Sequence, residues 1–280
     1  KFIALLTGLV KHPTHFYGWM LANGVRRGRF GLEFAGGRKV LSDIHRQIFP
    51  LHGSRIRVAD LGGRFPETRI ISEAYAMDDT KQINKIYREM REEIARLMES
   101  KARDRGANIL TAQLRARQEV ELLKVPTFVQ MAEDGLAEGM SVVAILNFSA
   151  SITAQLWAKR LHGRAQNLIT GDIPSDIRQQ LIDGFNKDEE DFLLMNIKAG
   201  GLGISLKHPR GTLVLISPTF SGIDLKQALG RCHRAGGSYS IQKIVWAAGT
   251  VEEYACKKVR ARLQRVSIFN DDQLDEALQI

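Results

Sequence analysis

Cysteine is almost missing from this chain: Cys232 and Cys256 are the two among 280 residues. Two thiols cannot build a disulfide framework or a four-cysteine zinc site. No His, Asp and Glu stand at metal-ligand spacing either, so no metal ligand set is assigned. Long apolar runs are absent too. None approaches the roughly 20 residues that cross a bilayer, which excludes a helical membrane span and a membrane partner as expectations. The opening stretch, Lys1-Phe2-Ile3-Ala4-Leu5-Leu6-Thr7-Gly8, lacks the apolar core and cleavage site of a signal peptide. A reducing compartment, cytoplasm or nucleus, is the expected location. The chain contains no G-x-x-x-x-G-K-[ST] and hence no P-loop. No Asp-Glu pair follows an apolar strand, because Asp275-Glu276 lies in a polar tail. No Met starts the chain, and its first residues read as a strand inside a longer protein, ending at Thr7-Gly8.

What is present is more telling. Hydrophobic residues make up 44%, enough for a sizeable core, and 40 Lys and Arg against 31 Asp and Glu leave a formal charge of +9. An excess of that sign suits a polyanion such as DNA or RNA. The run Gln227-Ala228-Leu229-Gly230-Arg231-Cys232-His233-Arg234 concentrates the chemistry. On a helix, Arg231 and Arg234 would share a face. Two guanidiniums projecting together can clamp a polyphosphate, since each offers fixed donors matched to phosphate oxygens. NTP hydrolysis or nucleic-acid binding is the first hypothesis; a solvated basic turn is the bland alternative.

Upstream, the periodicity predicts a helix near Thr14–Asn23 and an irregular, Gly- and Arg-rich stretch over 36–75 with one strand, Thr68–Tyr75. Asp78-Asp79-Thr80 supplies N-cap chemistry for a helix to about Arg105. Gly106-Ala107-Asn108 should break it, with further helices over Ile109–Leu123 and Pro126–Glu138. From Gly139 the pattern changes. Val142–Phe148 is a continuous apolar run, the mark of a strand buried on both faces. Strands Asn167–Thr170, Asp191–Asn196, Thr212–Ser217 and Ile241–Trp246 then alternate with helices Ser151–Leu161, Ser175–Phe185, Gly222–Arg234 and Val251–Val266. Such alternation means an α/β fold, a parallel sheet with helices on both faces. Ligands bind such sheets outside the carboxyl ends of the strands. The glycine loop Gly200-Gly201-Leu202-Gly203 and the double arginine both lie just past strand ends.

Together, residues 139–266 resemble the second RecA-like lobe of superfamily 2 helicases, the Snf2-like group in particular. Gln227-x-x-Gly230-Arg231-x-x-Arg234 is similar to motif VI, and Lys198-Ala199-Gly200-Gly201-Leu202-Gly203-Ile204-Ser205-Leu206 to motif V. Ala144–Ser149 fits motif IV. Thr170-Gly171 followed by Arg178 and Phe185-Asn186 matches the segment between motifs IV and V, and Thr250-Val251-Glu252-Glu253 the start of the closing helix. Leu6-Thr7-Gly8 with Pro13 resembles motif III at the end of the first lobe, without the Thr-Pro that follows its glycine. The spacing also resembles fork-remodelling and phage Snf2-like branches.

The resemblance implies four segments: 1–35 as the end of a first RecA-like lobe, 36–138 as linker and helical protrusion, 139–270 as the second lobe, and 271–280 as a tail. It implies an ATP-dependent DNA translocase or helicase acting on double-stranded or branched DNA, with ATP and Mg2+ held mainly by a first lobe carrying the P-loop. In this reading the chain cannot hydrolyse ATP alone. Arg234 would be the arginine finger, Arg231 would reach the γ-phosphate, and Gln227 would orient the arginines or the water. Gly203 and Gly230 would approach the nucleotide. Ser149, Asn147, Arg178, Lys198, Gly200 and Gly201 would meet the nucleic-acid backbone. A non-catalytic nucleic-acid-binding scaffold lobe and an RNA helicase are the alternatives.

Overall fold

The structure is a computed structural model. It describes residues 2–28, 31–54, 60, 65–99, 104–148, 168–198, 203–219, 221–270 and 278–279. The chain divides into a smaller unit, Lys1–Gly62 with Ala261–Glu276, and a larger one, Gly63–Arg260 with Ala277–Ile280.

The smaller unit opens on helix α1 (Phe2–Leu6), where a strand was expected. A five-residue apolar run has no period that separates strand from helix. Here the chain closes on itself: Gly8 at φ 71° turns it back, and its N–H donates to the Leu5 carbonyl at 3.1 Å. A short 3-10 turn, Pro13–His15, leads into α2 (Phe16–Ala22), in the region expected to be helical. Strands β1 (Val25–Gly28) and β2 (Gly31–Phe34) form an antiparallel hairpin. Helix α3 (Arg38–Ile48) corrects the expectation of irregular structure after residue 36. Its basic and polar majority hides a short apolar stripe that ends in buried Ile44 and Ile48.

The larger unit is built on a seven-stranded parallel sheet in the order β5-β6-β4-β7-β8-β3-β9. The strands are β3 (Thr68–Tyr75), β4 (Ser141–Leu146), β5 (Leu168–Ile169), β6 (Phe192–Asn196), β7 (Thr212–Ile216), β8 (Ser240–Ala247) and β9 (Leu278–Gln279). Every residue of β4, β6 and β7 is buried. Their unbroken apolar runs are what a strand covered on both faces requires. β3 pairs in register with β8 from Thr68↔Ser240 to Tyr75↔Ala247, so the sheet extends beyond the strands of 139–266.

Helices α4 (Thr80–Glu99) and α5 (Arg105–Ala137) pack on each other between β3 and β4 in the chain. α5 overturns two expectations. Gly106 falls inside its first turn rather than between helices, and Pro126 does not interrupt it. An interior proline costs about 3 kcal/mol through a lost hydrogen bond and a clash. Val125, Phe128, Val129 and Ala132 are all at most 3% exposed, and each large side chain buried returns about 1.5–3 kcal/mol. Tertiary burial outweighs the local penalty. α5 ends where glycine chemistry says it should: Gly139 sits at φ 78°, Met140 N–H donates to the Gly135 carbonyl and Gly139 N–H to that of Leu136.

The remaining helices are α6 (Ser175–Asn186), α7 (Gly222–Leu229) and α8 (Val251–Asn270). α7 is shorter than the expected Gly222–Arg234. Ser221 caps its start by accepting from Asp224 N–H, and Gly230 is its C-cap. Arg231 and Arg234 therefore lie in the turn beyond the helix and do not share a helical face. The expected helix Ser151–Leu161 falls outside the described residues.

Candidate functional site

Two polar constellations stand at opposite ends of the central strands. The first is at the carboxyl ends, where a parallel sheet leaves room for ligands. The second is toward the amino ends, where α6 and α7 finish and the chain enters β7, so the double arginine does not lie past a carboxyl end as expected. The first lies past β4, β7 and β8. Glu121, on α5, is 4% exposed. Its carboxylate accepts from Asn147 N–H at 3.0 Å, Asn147 Nδ2 at 3.1 Å and Phe148 N–H at 2.9 Å, and from the Ser217 hydroxyl. One turn further along α5, Lys124 makes a 2.8 Å ion pair with Glu252, one of two acids in the first turn of α8. Glu252 also accepts from the Tyr87 hydroxyl and Ala247 N–H, each at 2.8 Å. Burial first, then the Glu252 charge, holds the Tyr87 phenol far above its ordinary range. Arg117 stacks its guanidinium 5.7 Å from the Phe148 ring centre, and burial disfavours its cation. These groups line a cavity of about 20 Å³, room for about one water.

The second constellation joins the motif V and motif VI segments. Leu206 N–H donates to the Arg231 carbonyl at 3.1 Å, and Arg231 Nη1 to the Ile204 carbonyl at 3.4 Å. Asn186 braces the same segment: its amide donates to Ser205 O at 3.2 Å and accepts from Lys207 N–H at 2.6 Å. Phe185 beneath it packs edge-on against His208, 4.7 Å between ring centres. The Phe-Asn pair thus ties the end of α6 to the loop after β6.

Electrostatically this turn is primed for an anion. Burial, then the charge of Arg234, lowers the Arg231 guanidinium from its ordinary value. The Arg234 Nε is buried and makes no hydrogen bond to the described residues. Two crowded cations, one with an orphaned donor, are stabilised by an approaching phosphate. Between them Cys232 is wholly buried and its thiol pushed up to about 12, which makes it inert packing. Burial lowers His233, which bonds the Pro66 backbone and packs edge-on against Phe65 at 5.3 Å. No proton-transfer role is implied for it.

The other residues singled out from sequence are distributed as follows. Gln227 is exposed on the last turn of α7, and Gly230 follows it as the cap. Gly203, at φ 70°, has open space where a side chain would start. Lys198 is exposed, its N–H held by Asn196 Oδ1 at 2.9 Å. Arg178 turns back to the Ile173 carbonyl at 3.1 Å. Asn147 directs its amide inward, to Glu121, Ser217 and the Pro218 carbonyl at 2.8 Å. Ser149, Gly200 and Gly201 lie outside the described residues. Sequence reasoning missed Glu121 and Lys124; two charges inside the apolar stripe of α5 were their only signal.

Arg231 and the orphaned Nε of Arg234 are the groups that fit a nucleotide's phosphates. No group of acidic, His or Cys side chains among the described residues fits a metal ion.

Comparison with known proteins bears on the family and the fold. Residues 124–236 match the helicase conserved C-terminal domain. The chain is 33% identical over 229 residues, 79% of its length, to a protein of Acanthamoeba polyphaga mimivirus named as an ATP-dependent RNA helicase, of which it covers 41%. It is 30% identical over 118 residues, 40% of its length, to 12% of the human DNA repair and recombination protein RAD54B. The chain thus spans less than half the length of these relatives. The Sulfolobus solfataricus SWI2/SNF2 ATPase core domain superposes over 81% of the chain and 50% of that domain, with a TM-score of 0.53 at 17% identity, a likeness of fold. With motifs IV to VI in order on a parallel sheet, the chain carries the C-terminal RecA-like lobe of a superfamily 2 helicase of the Snf2-like group.

Proposed function

We propose that this lobe is the arginine-finger half of an ATP-dependent DNA translocase. The observation that carries the reading is the Arg231–Arg234 turn, which is crowded with positive charge and hydrogen-bonded to the Ile204–Leu206 segment. Arg234 is the finger and Arg231 its neighbour on the γ-phosphate. Gln227, one turn earlier, orients the pair or the attacking water. ATP with Mg2+, held by a P-loop lobe, supplies the phosphoryl group whose transfer drives the cycle. The arginines offset charge that develops as the group transfers.

The link to nucleic acid runs through the loop after β6. Lys198 and the glycines from Gly200 to Gly203 meet the backbone, and their other end is fixed to Arg231. A change in how the arginines sit is thereby passed to the backbone contacts. Phosphate contacts carry no sequence information, so binding is sequence-tolerant and falls with salt. Duplex or branched DNA is the proposed track, in keeping with the Snf2-like motifs.

The name of the mimivirus relative favours RNA as the second reading. The test is nucleic-acid-stimulated ATPase in the protein with its P-loop lobe, comparing duplex DNA with RNA. Arg234→Ala should lower the stimulated rate by about 10³-fold or more. An unchanged rate removes the finger assignment, and stimulation by RNA alone selects the other track.

A further inference from the structure

The Glu121 carboxylate occupies a place where an anion could be held. It accepts two successive backbone N–H groups, Asn147 and Phe148, together with the Asn147 amide and the Ser217 hydroxyl. Such a cluster of donors beyond a strand end is what a phosphate oxygen would be offered in a nucleotide- or nucleic-acid-binding sheet. Here it is filled from within, by a side chain that is 4% exposed. Glu121 cannot swing out of the cradle alone. Its neighbours on α5, Val120 and Val125, belong to the main core, and Lys124 is bound to Glu252 in the same wall.

We propose that Glu121 is a positioning residue. It is a built-in anion that staples the exit of β4 to the exit of β7. Through the Asn147 carbonyl, which accepts from Asn196 Nδ2 at 3.0 Å, and Asn196 Oδ1, which accepts from Lys198 N–H at 2.9 Å, it positions Lys198 toward the nucleic-acid backbone. Asn147, in consequence, is part of the staple and does not contact a phosphate. The inference rests on the nucleic-acid reading above, but its structural half does not.

Glu121→Gln keeps the shape and removes the second acceptor. Whichever way the amide turns, its NH2 faces either Phe148 N–H or the Asn147 and Ser217 donors, and at least one bond becomes a donor–donor clash. Two measurements follow. Hydrogen exchange on this chain should show the Asn147 or the Phe148 amide, whichever the NH2 faces, at least about tenfold faster in the variant, the size expected for one lost buried hydrogen bond. Continued protection would overturn the staple whatever the protein binds. In the ATPase assay with the P-loop lobe, the duplex DNA concentration giving half stimulation should rise about tenfold. The rate without DNA and the rate at saturation should stay within about twofold.

A variant with faster exchange but unchanged half stimulation would limit Glu121 to a stability role and refute the positioning. Tighter DNA binding would mean that Glu121 blocks a phosphate site. Absence of stimulation in the unmodified protein would instead strike the proposed function. Ser217→Ala, which removes one donor and leaves the charge, guards against misfolding. It should move half stimulation the same way by about two- to threefold, and no movement would count against the staple.

Discussion

Lys124→Met tests the buried pair that fastens α5 to the first turn of α8. Lys124 is 1% and Glu252 6% exposed, and their charged atoms lie 2.8 Å apart. Without the ammonium, Glu252 keeps the Tyr87 hydroxyl and Ala247 N–H, and of the cations around it the half-buried Arg117 remains. Breaking one side of a buried pair costs about 3–5 kcal/mol, because a charge is left desolvated. At about 2–4 °C per kcal/mol for a domain of this size, the melting temperature should fall by about 6–20 °C. Urea unfolding followed by tryptophan emission measures the free energy, with Trp246 buried in the same wall. Adding Glu252→Gln removes the stranded charge while leaving an acceptor, and should recover at least half of the loss. A single-variant loss below about 1 kcal/mol, or a double variant no better than the single, would refute the reasoning.

Two further perturbations probe other levels. A Cβ at Gly135 would stand 2.6 Å from the Leu213 side chain, which is itself buried in β7. Gly135→Ala should therefore destabilise by about 1–3 kcal/mol in urea unfolding despite better helix propensity, and a stabilised variant would contradict the close packing. Burial, then the Glu73 charge, pushes the Tyr75 phenol up to about 12. The folded state holds that proton more tightly than the unfolded chain, so this stability is whole below pH 10 and drains as pH rises from 10 to about 12. Tyr75→Phe should flatten the fall across that window, and an unchanged slope would show that the phenol titrates normally.

Much of the larger unit was legible because its strands are buried on both faces. Val142–Leu146, Phe192–Asn196 and Thr212–Ile216 are apolar runs too short for helices, and each ends at a turn signal. Elsewhere the deciding forces were not local. Pro126 reads as a stop, yet the side chains around it are core and carry the helix through. The basic residues of α3 mask a stripe as narrow as Ile44 and Ile48. Gln227–Arg234 looks like one helix because Arg and Ala tolerate helical conformation. Gly230 ends it, and the Arg231 carbonyl is then free to accept Leu206 N–H. The motif arginines could be named from their spacing. The Glu121 and Lys124 contacts span sequence separations of 26 to 128 residues, and no local pattern announces them.

The unbroken course of α5 through Pro126 has a mechanical consequence. From Glu121 back to Arg105 the helix is a strut about 24 Å long, at 1.5 Å of rise per residue. Its inner end is clamped at two carboxylates, one on the β4 and β7 exits and one on α8. A tilt of about 5° there carries the Arg105 end through about 2 Å, and leverage works equally in reverse. Beyond the clamp the helix runs on through Pro126 into the core at Val125, Phe128, Val129 and Ala132, so the clamped end is held on its far side as well. As one rod, it passes torque from its outer tip to the rim of the sheet.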